Sequence, residues 1–125
     1  MRVLVCGDRN WTDRARLENV LQDMKDRGAL TTVIEGEARG ADRMSREWAD
    51  QVSIPVMRFP AKWGEFGRAA GPIRNTQMLT EGRPEYLIAF HDDIEASKGT
   101  KDMIAKARRA NIPGKLVTTT GVKSW

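Results

Sequence analysis

Cysteine, histidine and tyrosine each occur once in these 125 residues, and no apolar run approaches the length that crosses a bilayer. Each scarcity excludes something. A lone Cys6 cannot close an internal disulfide, which agrees with a reducing, cytoplasmic setting. A lone His91 has no second imidazole to join it, which argues against a transition-metal site. The opening run Met1 to Cys6 is too short for a signal peptide and reads as a strand, so we expect neither export nor a membrane partner. Repeats, low-complexity linkers and a long basic arm are missing as well.

What is present describes one globular domain of ordinary size, with 40% apolar and 30% charged residues. The net charge of +4 comes from 21 basic against 17 acidic side chains, and the pI is about 9.6. That balance suits an anionic partner, nucleic acid included. The charges are interspersed along the chain, which ranks nucleic acid behind a small anion.

The chain alternates strand-like and helix-like segments. Arg2 to Cys6 is a first strand, and Thr12 or Asp13 can cap a helix whose apolar face is Leu17, Val20, Leu21 and Met24, with Gly28 as its stop. Thr31 to Glu35 is a buried strand, Gly36 and Gly40 bracket a turn, and Ala41, Met44, Trp48 and Val52 fall at helical spacing. Ile54 to Phe59 resumes a strand, followed by a glycine- and aromatic-rich loop from Pro60 to Arg68. Ile73 to Leu79 reads as a helix with Gly71-Pro72 at its start. Tyr86 to Phe90 is a fourth strand, Gly99-Thr100 opens a helix with Met103, Ile104 and Ala107 inward, and Lys115 to Thr119 is a last strand. This order predicts an α/β fold, Rossmann-like and doubly wound, with a mainly parallel sheet of about five strands. The ligand crevice is expected where strand order reverses, between the first and fourth strands.

Four turns should gather on that edge: Gly7 to Trp11, Gly36 to Asp42, Gly71 to Asn75, and Asp92 to Thr100. Glycine there lets backbone approach a ligand, and helix starts offer unpaired N–H groups to an anion. The turns carry Arg9, Arg39, Arg74, Asn75 and Thr100. Guanidinium groups that face one another gain little unless an anion sits among them. The candidate phosphate-binding set is therefore Gly7, Arg9, Gly36, Arg39, Gly40, Asp42, Arg74, Asn75, Gly99 and Thr100.

The motifs Gly7-Asp8-Arg9-x-Trp11, Gly36-Glu37-Ala38-Arg39-Gly40-Ala41-Asp42, Phe59-Pro60-Ala61-x-Trp63, Ala70-Gly71-Pro72-Ile73-Arg74-Asn75-x-Gln77-Met78 and Gly99-Thr100 occur in that order. Together they resemble the YspA/YpsA-related branch of the SLOG superfamily, nearly from end to end. The resemblance implies a Rossmann-like fold, a nucleotide or nucleotide-derived ligand, and a homodimer. It also brings in the LOG enzymes, which hydrolyse the N-glycosidic bond of a nucleoside monophosphate. Their Arg-Lys pair corresponds to Arg74-Asn75, so the arginine matches, as a catalytic or phosphate-binding group, and the lysine does not. Of their phosphate cradle Gly99-Thr100 match, whereas the place of the catalytic glutamate is taken by Met103. A methionine moves no proton and stabilises no oxocarbenium charge, so the cradle carries over and the LOG mechanism does not.

Other acids remain. Asp42 suits a ligand or the dipole of its own helix, Asp102 suits the helix dipole, and Glu37, with no capping role, is the candidate catalytic or ribose-contacting acid. No resident cofactor is expected; magnesium carried in on a ligand's phosphates would find Asp92 or Asp93. Trp11, Trp63 and Phe66 are candidate base-stacking rings, and Trp48 is core. The helix from Gly71 to Leu79 presents Ile73, Thr76, Met78 and Leu79 around more than one face, a dimer surface that would bring Arg74 near a partner's cradle. Three functions follow in order: a binder or sensor of a nucleotide-derived ligand, a nucleotide-processing hydrolase using Glu37 or an aspartate, and a single-stranded nucleic-acid binder.

Overall fold

The computed structural model describes residues 1–125. Apolar residues on both faces of the short strands make a sheet that must be covered on both sides. In β1 (Arg2–Gly7), Val3 and Val5 face one way and Leu4 and Cys6 the other. α1 (Arg14–Asp26) follows, capped by the Asp13 carboxylate, which accepts the Arg16 N–H at 3.0 Å. β2 (Thr32–Glu35), α2 (Ala41–Gln51) and β3 (Val56–Arg58) complete the first half. Leu17, Leu21, Trp48 and Ala49 from α1 and α2 pack on the face made by Val3, Val5, Val33 and Ile88.

The loop expected from Pro60 to Arg68 is partly regular: α3 (Trp63–Phe66) and a 3-10 turn (Gly67–Ala69) run straight into α4 (Ala70–Thr80). Residues 71–75 are therefore not a turn but the first part of α4. Pro72 is tolerated there because the first-turn N–H groups of a helix have no internal partner. β4 (Tyr86–Phe90), α5 (Gly99–Arg109) and β5 (Gly114–Val117) form the second half. Met78 of α4 and Met103 and Ala107 of α5 cover Leu4, Cys6, Ile34, Leu87 and Ala89 on the opposite face.

The order is β3-β2-β1-β4-β5-β6, parallel up to β5. The reversal falls between β1 and β4, as the alternation predicted. A sixth strand, β6 (Val122–Ser124), was not foreseen. It pairs antiparallel with β5 across a turn in which Thr118 N–H donates to Gly121 O at 2.9 Å. Three exposed residues bury no face, so no period marks them in the sequence. No helix is long and apolar enough to cross a membrane.

Candidate functional site

Two adjoining cavities open at the carboxyl edge beside the reversal. The first, about 370 Å³, is lined by the ends of β1 and β4 and by the starts of α2 and α5. The second, about 500 Å³, lies between the turn after β2 and the segment from Pro60 to Trp63. Arg9, Ala38, Arg39 and Arg74 line both. None of the three guanidinium groups takes part in an ion pair of the chain. Cations left unpaired at the wall between two cavities have charge to offer an anion.

Arg74 is held rather than free. Its Nη1 donates to Gly36 O, and its Nε donates to Asn75 Oδ1 at 3.1 Å. A Cβ at position 36 would run into this guanidinium, so Gly36 is what lets Arg74 cross the turn. Asn75, expected to touch ligand, lines the first cavity and is also engaged by the protein. Its Oδ1 accepts from Arg74, while Nδ2 donates to Gly99 O at 3.3 Å and to Asp102 Oδ2 at 3.0 Å. It ties α4 to the start of α5 and orients Arg74, which makes it a positioning residue. Asp102 is structural as expected, with Lys106 Nζ at 2.8 Å.

The turn 36–40 differs from its expected form as a phosphate cradle. The Glu37 N–H donates to Glu35 Oε2, the Ala38 N–H donates to Asp42 Oδ2 at 3.1 Å, and the Ala41 N–H donates to Asp8 O at 3.2 Å. Two of its N–H groups are thus spent on the protein's own carboxylates, and the first N–H of α2 on a backbone carbonyl. Gly40, at φ 72°, makes the reversal into α2, and a Cβ there would strike the Asp8 carbonyl. Glu35 is fully buried and its Oε1 has no partner. Burial pushes its carboxyl up to about 7, against the opposing pull of the Glu37 N–H. Burial likewise raises Asp42 to about 6, opposed by the Ala38 N–H and by Arg74. Burial and Asp42 push the Cys6 thiol far above its ordinary range, so it is inert packing at the floor of the first cavity. Sequence reasoning missed Glu35, reading it only as the end of a strand. The available signal was a carboxylate inside an otherwise apolar run.

The start of α5 is built differently. Ser97 Oγ accepts the Thr100 N–H at 3.0 Å and Lys98 O accepts that of Asp102, while the N–H groups of Gly99 and Lys101 take no protein partner. Ser97, Lys98, Gly99 and Thr100 all line the first cavity. So does Met103, at 1% exposure, where a LOG enzyme would carry its acid.

The remaining candidates separate. Glu37 lines the second cavity only; it sits at φ 57°, and its Oε1 lies 3.9 Å from Arg58 Nη1. Trp63 lines the same cavity and is 48% exposed, with the Arg9 guanidinium 5.6 Å from its ring centroid. Gly7 lines the first cavity, and its close approach to Phe90 O leaves no room for a Cβ. Trp11 is not a stacking ring: it is 4% exposed, packed 5.5 Å from Phe90, with Nε1 donating to Asp13 O. Phe66 lines neither cavity. Nor do Asp92 and Asp93, and Asp92 Oδ1 accepts both the N–H and the hydroxyl of Thr119. These two acids do not fit a magnesium ion on a phosphate in either cavity. The expected dimer face also changes: Met78 is core and Leu79 half-buried, which leaves Ile73 with Trp63 and Phe66 as the exposed apolar side chains nearby. Arg74 binds its own chain's Gly36.

A model of the YspA, cpYpsA-related SLOG family matches residues 1–66, which run from β1 through α3. The Gene 61 protein of Mycobacterium phage D29 is 32% identical over 118 residues, covering 90% of this chain and 92% of that protein. No solved structure matches the chain.

Proposed function

The chain belongs to the YspA, cpYpsA-related SLOG family, and on that premise we propose that it binds a nucleotide-derived phosphate ligand across the two cavities. Family membership suggests nucleotide-related binding or processing. The observation that carries the finer reading is the wall of Arg9, Arg39 and Arg74, shared by both cavities and unpaired with any carboxylate. In this reading the phosphate sits in the first cavity, against Arg74 and the free N–H groups that open α5. The second cavity takes the nucleoside, with the face of Trp63 for the base and the Glu37 carboxylate for a ribose hydroxyl. Base stacking of this kind contributes about 1–3 kcal/mol. Met103 supplies no acid or base, which favours a binder or sensor over a LOG-type hydrolase.

Calorimetry with AMP and other nucleoside monophosphates tests this. Arg74→Ala should weaken binding by roughly 1.5–3 kcal/mol, as for a hydrogen bond to a charged group. Unchanged affinity removes Arg74 from the site.

A second reading, N-glycosidic hydrolysis, is favoured by the position of Glu37 beside Trp63 in the second cavity. Chromatography for released base decides it. We expect little or none from AMP; rapid turnover abolished by Glu37→Gln would establish the hydrolase. Self-association through α3 and α4 stays a proposal resting on exposed Phe66 and Ile73, checked by light scattering.

A further inference from the structure

His91 is the one histidine of the chain, a poor start for a metal site, and its geometry suits a different partner. It follows β4 directly, and its backbone N–H donates to Val117 O at 3.0 Å. Its ring is fixed from the other side, because the Asp93 backbone N–H donates to Nδ1 at 3.0 Å. An Nδ1 that accepts a hydrogen bond carries no proton, so the neutral ring bears its proton on Nε2. The side chain is 8% exposed and lines the first cavity together with Arg74, Lys98 and Thr100. Nε2 has no partner in the protein, and Glu35 Oε1 is the one fully enclosed side-chain polar atom without one. Nε2 is therefore not enclosed, on a residue that lines the first cavity.

We propose that His91 is a ligand-binding residue whose Nε2–H donates to a phosphate oxygen held in the first cavity, opposite Arg74. This rests on the phosphate reading given above. The tautomer itself selects the ligand class. A metal ion needs a lone pair on Nε2, which would move the proton to Nδ1 and set it against the Asp93 N–H. An oxyanion needs the proton where the Asp93 contact already puts it. Two backbone anchors, at Val117 and Asp93, keep the ring from swinging away, so little freedom is lost on binding.

His91 is the sole histidine, so its imidazole signals need no assignment. Long-range ¹H–¹⁵N spectra of the free protein at pH 7.5 should show the Nε2–H tautomer, and inorganic phosphate or AMP should shift the Nε2 resonance. An Nδ1–H tautomer, or an Nε2 signal unmoved at saturation, overturns the proposal. Two variants separate holding the loop from holding the ligand. His91→Asn keeps an acceptor near the position of Nδ1 and removes the Nε2 donor. It should retain its melting temperature and lose roughly tenfold or more in affinity for phosphate. His91→Gln keeps a donor near the position of Nε2 and should bind more tightly than His91→Asn. Wild-type affinity in His91→Asn, with Arg74→Ala still weakened, defeats this inference alone. Wild-type protein that binds neither phosphate nor AMP defeats the underlying phosphate reading with it.

Discussion

The turn after β2 and the turn before α5 look alike as sequence: each has glycine at the threshold of a helix and lies on the same edge of the sheet. Their chemistry differs. Residues 36–38 sit above Glu35 and Asp42, two buried carboxylates that take the Glu37 and Ala38 N–H groups. At 97–101 no buried carboxylate lies beneath the backbone. The nearby acid, Asp102, is paired with Lys106 and accepts from Asn75 Nδ2, and the N–H groups of Gly99 and Lys101 stay free. The first turn is a structural clasp that holds Arg74 through Gly36 O; the second is the more open end. A glycine turn marks a cradle only where its donors are not already spent.

The largest effect should come from disturbing the clasp. Gly40→Ala places a Cβ against the Asp8 carbonyl at a backbone angle of φ 72°. Strain and overlap together should cost about 3 kcal/mol or more of stability. Denaturant unfolding checks this, and a stable Gly40→Ala would mean that the clasp is soft.

Next in size is a pH effect that only the clasp should show. Burial holds Glu35 at about 7, above its ordinary 4.5, and Asp42 at about 6, above its ordinary 3.8. Between those limits the folded chain keeps protons that the unfolded chain has released. Their contribution to stability is therefore fully present below the ordinary values and is lost as pH rises through 6 and then 7. Glu35→Gln leaves an acceptor for the Glu37 N–H and removes the larger titration. At pH 8 it should be more stable than wild type by up to about 3 kcal/mol, with the advantage shrinking towards pH 5. Urea unfolding across that range measures it, and parallel curves would show that Glu35 ionises freely in the fold.

The fold was legible because strand and helix periods alternate cleanly and buried strands need apolar residues on both faces. Val3 with Val5, and Leu4 with Cys6, announce the two cores. β6 escaped because it buries nothing. Of the site, the sequence located the edge and the arginines, since glycine turns and cations are marks of residue type. Which donors stay free is a matter of orientation. Glu35 turning inward to meet the Glu37 N–H, and Asp93 N–H meeting His91 Nδ1, depend on backbone paths that no spacing encodes. The same limit misread Trp11, whose ring turns to Phe90 rather than to the cavity.

The smallest effect on stability should be the most informative about binding. Gly99 begins α5 and lines the first cavity, and a Cβ built there meets no atom within 4 Å. Its φ is not in the left-handed region, so alanine fits without strain. Alanine is the better helix residue, which should leave Gly99→Ala as stable as wild type or more so by about 0.5 kcal/mol. The new methyl would stand in open space beside the free N–H groups, where the phosphate is proposed to lie. Affinity for AMP should then fall while the melting temperature holds or rises. At Gly40 the same substitution should lower stability itself, because there the space is filled by the protein's own backbone. If Gly99→Ala binds AMP as wild type does, the anion does not rest on the start of α5. The comparison between the two turns would then have to be redrawn around Arg39 and the remaining free N–H groups of residues 39 and 40.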